Sequence, residues 1–300
     1  MKATEAKLLG FLQKSPQFII PIYQRTYSWT EKQCRQLWDD ILRAGTNDSI
    51  GVHFIGSVVY IEQGLSQVSH QAPLLVIDGQ QRLTTVSLLL EALARALGDT
   101  EPVDGFSAAK LRHYYLSNPL ESGDRYYKLL LSQTDIASLK SIIKNTPQPN
   151  EPSLRITQNF NLFVELLNTR KGDLAAICRG LAKLVVVDVA LSRDQDNPQL
   201  IFESMNSTGK ELSQADLIRN FVLMGLEPNL QTNLYEQYWR PMEQAFGQEA
   251  YGSQFDSFMR HYLTVRTGEI PRESDVYDAF KEYTRTADVT CTPDLVHRVS

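Results

Sequence analysis

The 300 residues, 42% hydrophobic and 22% charged, have the make-up of an ordinary soluble globular chain of one large or two smaller domains. A net charge of −5, with never more than two adjacent Lys or Arg residues, excludes a protein that coats nucleic acid through bulk charge, but it leaves a local basic groove open. Three scattered cysteines (Cys34, Cys178 and Cys291) exclude a zinc ribbon or disulfide framework, and no stretch reads as a signal peptide or bilayer span, so a reducing cytoplasm is expected.

In chain order, PQFIIPIYQRTYSWT, residues 16–30, reads as an extended segment with Pro21 at an edge or entry point. Thr30 and Gln33 fit a capping box for a helix whose stripe is Cys34, Leu37, Trp38, Ile41 and Leu42. HFIGSVVYIE, residues 53–62, is a strand by its β-branched and aromatic content, and residues 74–77 form a second after a polar loop. An apolar helix follows to Leu97, then a linker, GDTEPVDG. From there to about residue 182 the periodicity is helical, clearest where Ile156, Phe160, Phe163, Val164 and Leu167 share a face. KLVVVDVALS, residues 183–192, returns to a strand pattern and is expected to rejoin the first sheet. Asn197 and Pro198 fit the N-cap and first position of a helix through Met205, and Ser213 caps another. The remainder is mostly helical and ends in TPDLVHRVS, inside what reads as a new helix, which points to a shortened piece or a subunit that packs on a partner.

Three segments could carry chemistry. In VIDGQQRLTT, residues 76–85, five polar or flexible residues stand between a strand and a helix. Gly79 allows a tight turn and close approach of a ligand, and the first N–H groups of a helix are free to bind anionic oxygens. Arg82 has the wrong sign for a helix N-terminus, a conflict that a phosphate would resolve. Gln80 and Gln81 can donate amides, and Asp78 can hold a hydrated Mg²⁺ or a sugar hydroxyl. The alternative is a turn with Asp78 as N-cap and partner of Arg82. In PIYQRTYSW, strand alternation would put Tyr23, Arg25, Tyr27 and Trp29 on one face and Gln24 on the other. That suits a stacked base or a sugar–phosphate backbone, or else an amphipathic strand whose aromatics fill the core. In IFESMNSTGKELSQADLIRN, Glu203 and Asn206 share the polar side of a helix, while Asp216 reads as the capping partner of Ser213. SMNSTGKE is not a P-loop, because Ser204 replaces the first glycine and Glu211 replaces the Mg²⁺-binding Ser or Thr. The five histidines have no metal spacing.

IPIYQRTYSW, HFIGSVVY, VIDGQQRLTTVSLLLEAL and IFESMNSTGKELSQADLIRNFVL, in that order, resemble the N-terminal domain family of GmrSD-type restriction endonucleases over roughly residues 15 to 225. The resemblance implies an α+β fold: a small mixed sheet like that of the ParB and sulfiredoxin proteins, in an NTPase core over residues 1–225 with a helical insertion at about 100–182. Residues 226–300 are then a helical segment leading to a nuclease domain or partner. It further implies nucleoside-triphosphate binding and hydrolysis with Mg²⁺ or another divalent cation, through Asp78, Gly79, Gln80, Gln81 and Arg82, with Thr84 and Asn206 beside the nucleotide. On the same basis Tyr23, Gln24, Arg25 and Tyr27 lie close to the nucleotide or to modified phage DNA. Within this assignment Arg25 is a second phosphate contact and Glu203 a residue that orients water. The family couples recognition of double-stranded, modified DNA to a His-Asn-His nuclease. That centre is not found in these residues, so cutting by this chain alone is not expected, and a homo-oligomer is left open. A noncatalytic, nucleotide-gated DNA-binding switch is the alternative.

Overall fold

The computed structural model describes residues 1–62, 72–169, 173–192, 196–205 and 212–286, without the side chains of residues 133, 204, 205, 248, 249 and 251–253. Two compact units result: Met1–Pro21 with Thr26–Asp196, and Ile22–Arg25 with the chain from Asn197 onward. Both belong to an α+β protein built on one mixed sheet. Asn206 and the helix expected at TPDLVHRVS lie outside the described residues.

The first unit contains β1 (Lys2–Lys7), α1 (Leu8–Lys14), β2 (Phe18–Ile19), α2 (Glu31–Thr46), β3 (His53–Glu62) and β4 (Leu74–Asp78). It continues through α3 (Gln80–Leu97), α4 (Ala108–Leu111), β5 (Leu129–Leu130), α5 (Gln133–Lys144), α6 (Leu154–Thr169), α7 (Leu174–Ala182) and β6 (Leu184–Leu191). The sheet order is β1-β6-β3-β4-β2-β5, with β1–β6 and β3–β4 antiparallel and the other pairs parallel. β6, LVVVDVAL, rejoins the sheet between β1 and β3, as its nearly unbroken apolar run requires of an interior strand. α3 is apolar almost all round and accordingly buried along most of its length. Thr30 and Gln33 form the expected capping box on α2, and Cys34, Leu37, Trp38 and Ile41 are buried below it. α2 and α7 approach so closely that a methyl group on Gly45 would overlap the Ala176 carbonyl, and one on Gly180 the Ile41 carbonyl.

The second unit contains α8 (Pro198–Met205), α9 (Gln214–Leu223), α10 (Pro228–Leu234), α11 (Arg240–Thr267, broken at Gly247) and α12 (Val276–Thr286). Asn197 caps α8 by accepting from the Gln199 and Leu200 N–H groups, and the Ser213 hydroxyl accepts from the Asp216 N–H at the start of α9. Tyr23 shares a core with Ile218, Tyr235, Trp239, Phe255 and Phe280. The buried Arg219 binds this stretch: its Nε donates to the Tyr23 carbonyl at 2.7 Å, while its other nitrogens pair with Asp216 and Glu243. By packing, the second unit starts at Asn197, and α9 shares a core with the helices beyond residue 225.

Two expectations change. The helical stretch after residue 105 contains Leu129–Leu130, which pairs with β2 and extends the sheet. The segment PIYQRTYSW is not a strand beyond Ile19, so no alternation orders its side chains. Tyr23 and Gln24 are both buried in spite of being neighbours, because Ile22–Arg25 joins the second unit and the chain returns to the first at Thr26.

Candidate functional site

The junction between β4 and α3 grows from two glycines. Gly79 stands at the N-cap of α3 with φ of +102°, a conformation that side-chain-bearing residues adopt only with strain, and a Cβ there would lie 3.1 Å from the Ser57 carbonyl oxygen and from Val58 Cγ2. Gly56, φ +109°, sits where the pairing of β3 with β6 shifts register between Phe54 and Ser57. A Cβ on Gly56 would come within 3.0 Å of an Arg82 nitrogen, so this bulge makes room for the guanidinium. Arg82 Nη2 donates to the Ser57 carbonyl, and to Asp78 Oδ2 at 3.0 Å. Its Nε–H is buried and without an acceptor among the described residues. Asp78 and Arg82 keep 32% and 22% of their side-chain surface, so the pair is open on one side.

The wrong-sign charge of Arg82 is thus partly answered from within, by Asp78 across one helical turn and by a carbonyl of β3. Asp78 is the last residue of β4, not the N-cap, a position that Gly79 takes. Gln81 is turned inward: its Oε1 accepts from the Ser28 N–H at 2.8 Å and the Trp29 N–H at 3.2 Å. Its amide nitrogen faces the Thr26 carbonyl at 3.5 Å. Gln80 is buried, and Thr84 is wholly buried with its hydroxyl unpartnered among the described residues.

Tyr27 belongs to the interior beside this turn. Its hydroxyl meets Thr85 Oγ1 at 2.7 Å and Cys34 Sγ at 3.4 Å, and accepts from Asn159 Nδ2 at 3.1 Å. Asn159 also donates to the Trp29 carbonyl, and the buried Asp135 accepts from the Tyr27 N–H. Burial pushes the Tyr27 phenol well above its ordinary range, with Cys34 adding to it, and burial alone does the same for Tyr23. Both stay protonated at neutral pH, so neither acts as a base.

Tyr23, Gln24 and Arg25 lie in the second unit, and the junction lies in the first. Glu203, also in the second unit, accepts from the Tyr277 hydroxyl at 2.5 Å and from Gln199, with Lys281 at 3.7 Å. Asn206 lies outside the described residues. Asp216 is a buried partner of Arg219, a structural role beyond its place in the cap. Sequence reasoning missed Gly56 and Ser57, although an isolated glycine inside a β-rich run is the ordinary sign of a bulge or a close approach. It also missed the ties from Gln81 and Asn159 to residues 26–29, which no local pattern marks.

The sequence matches the family model for the N-terminal domain of the GmrSD restriction endonuclease over residues 8–223. The chain belongs to that family. The matched GmrSD N-terminal region contains the whole β4–α3 junction and ends at the last residue of α9, inside the second unit. Membership in the GmrSD family gives the chain a restriction-related role. No curated protein matches it. Among the described residues no helix is long and apolar enough to cross a membrane, and no group of three or more His, Cys, Asp or Glu could hold a metal ion.

Proposed function

We propose that this chain is the nucleotide-hydrolysing sensor of a DNA restriction system directed against phage, acting with a His-Asn-His nuclease, and that the β4–α3 junction is its nucleoside-triphosphate site. The observation that carries the reading is the Arg82 guanidinium, held beside the N-terminus of an 18-residue helix with a buried Nε–H that has no acceptor among the described residues. An unmet buried donor costs about 1–3 kcal/mol, and a phosphate oxygen is the acceptor that both the charge and the helix terminus favour. In this reading Arg82 and the first N–H groups of α3 hold phosphate oxygens, and Gly79 lets them come close. Asp78 is the junction's carboxylate for Mg²⁺, an ion that takes one or two carboxylates beside the phosphates and water and so fits arrival with the nucleotide. When bound it would spread the charge that develops on the transferred phosphoryl group. Arg82 would exchange its Asp78 contact for phosphate as the nucleotide enters, freeing the carboxylate.

A second reading, a switch that binds nucleotide without splitting it, is favoured by one observation. Gln81, the side chain at the junction best suited to orient water, is already committed to the Ser28 and Trp29 N–H groups. Phosphate release by the purified chain with each of the four nucleoside triphosphates and Mg²⁺, beside Arg82→Ala, separates the two. Release that vanishes in the variant supports hydrolysis, binding without release supports the switch, and neither binding nor release refutes the site.

A further inference from the structure

The start of β3, close to Arg82, carries an exposed aromatic ring. Ile55 packs against the core of the first unit, and His53 Nε2 faces Asp40 at 3.4 Å, so strand alternation turns Phe54 to the opposite side. Phe54 keeps 57% of its surface, and Val52, just before the strand, keeps 53%. Across the sheet Phe54 pairs with Val185, which is buried, so the ring's neighbour in its own row carries no charge. Single exposed apolar side chains are ordinary on a protein surface. These two adjoin a cation.

Gly56 follows Phe54 by two residues, about 7 Å along the strand. A Cβ there would lie 3.0, 3.1 and 3.2 Å from Arg82 Nη1, Cζ and Nε, so the guanidinium lies flat against this glycine. β4 ends at Asp78, opposite Val59. Among the described residues no strand therefore flanks β3 from His53 to Ser57 on that edge, where Arg82 donates to the Ser57 carbonyl. An aromatic ring, an open strand edge and a guanidinium thus follow one another within the span of one nucleotide. Tyr23 and Tyr27, the rings that the sequence pattern offered for stacking, are 3% and 2% exposed in two cores and cannot receive a base.

Deepening the nucleotide-site reading above, on which it rests, we propose that Phe54 is the platform on which the base of the nucleoside triphosphate stacks while Arg82 holds its phosphates. A base is an uncharged ring with an apolar face, and an exposed aromatic side chain receives that face whatever the edge of the base carries. Stacking of this kind raises affinity for all four bases rather than choosing among their edges, and purines, which cover more of the ring, gain most.

The test is calorimetric titration of the full chain with Mg²⁺ and the β,γ-methylene analogues of the four nucleoside triphosphates, beside inorganic triphosphate, which has the phosphates and no base. Phe54→Ala should weaken every analogue about tenfold, purines most, and leave inorganic triphosphate within about twofold of wild type. More than half of Phe54 is exposed, so the variant keeps the fold, and melting curves check this. Phe54→Trp should keep the affinity. The emission of its added indole, read as the difference from wild type, should be quenched by the analogues and not by inorganic triphosphate. Leu120→Ala, at a side chain 99% exposed in the same unit, should change the binding of neither ligand. Unaltered analogue binding in Phe54→Ala overturns the stacking proposal and leaves the phosphate site standing. An equal loss of analogue and inorganic triphosphate overturns it too, since the ring would then support the phosphate pocket rather than the base. Binding of neither ligand by wild type refutes the nucleotide site itself, and this proposal with it.

Discussion

Replacing Gln81 with alanine removes the oxygen on which the Ser28 and Trp29 N–H groups converge. Each such bond has a net value near 1 kcal/mol, so Gln81→Ala should cost about 2 kcal/mol in this half-buried segment. For a unit the size of the first one, that lowers the melting midpoint by about 4–8 °C. Gln81→Glu separates the structural use of the side chain from a catalytic one. It keeps an oxygen at the same position, so the two N–H groups keep an acceptor and the melting midpoint should stay within about 2 °C of wild type. It replaces the amide nitrogen that faces the Thr26 carbonyl at 3.5 Å by a second carboxylate oxygen, a repulsion that water screens at this half-buried position. Because the amide is committed inward, nucleotide binding and any phosphate release should persist in Gln81→Glu. Thermal melting followed by near-ultraviolet circular dichroism, run beside phosphate release, gives both readings. The reasoning is refuted if Gln81→Glu melts as low as Gln81→Ala, or if it keeps full stability yet loses nucleotide binding.

Three further perturbations have definite signs. Gly79→Ala puts a Cβ against Ser57 and Val58 at a φ of +102°, and should cost about 2 kcal/mol and weaken nucleotide binding; equilibrium unfolding and nucleotide titration measure the two losses. Gly45→Ala drives a methyl group into the Ala176 carbonyl across the contact of α2 with α7, and about 3 kcal/mol should be lost in denaturant melts, whereas alanine at Gly10, with open space around it, should be neutral or better. Asp135 is buried, and that burial pushes its carboxyl from 3.8 up to about 6 despite the bonds from Ser153 and Tyr27. Between those values the folded chain holds more protons than the unfolded one, so this group's contribution is greatest below pH 3.8 and falls as the pH rises through 6, by about 3 kcal/mol in all. Asp135→Asn should therefore gain stability relative to wild type between pH 4 and pH 7, and a difference that stays flat over that range would contradict the assignment.

Much of this architecture was legible because it rests on local chemistry. The strand at residues 53–62, the caps at Thr30, Asn197 and Ser213, and the break between strand and helix at Gly79 all follow from patterns a few residues long. β1 was not legible: KATEAK has no apolar alternation and is mostly exposed, and it is a strand only because it pairs with β6 at the sheet edge. Arg82 was recognised as anomalous, but Ser57, the carbonyl that receives it, is 25 residues away on β3. Tyr23 and Tyr27 look like one aromatic face in the sequence, yet they fill two different cores, since a chain crossing between units leaves no periodic trace.

That crossing bears on the order in which the molecule can be completed. Ile22–Arg25 leaves the ribosome early, but Arg219, which donates to the Tyr23 carbonyl, is made 196 residues after that tyrosine. The first unit can close on itself as soon as β6 has been made, whereas the second stays incomplete until a loop that contains all of the first unit beyond Pro21 has been drawn shut. Closing so long a loop depresses folding speed more than it depresses final stability. A fragment beginning at Asn197 would accordingly lack part of its own core and leave the Arg219 Nε–H without the carbonyl that it was built to meet.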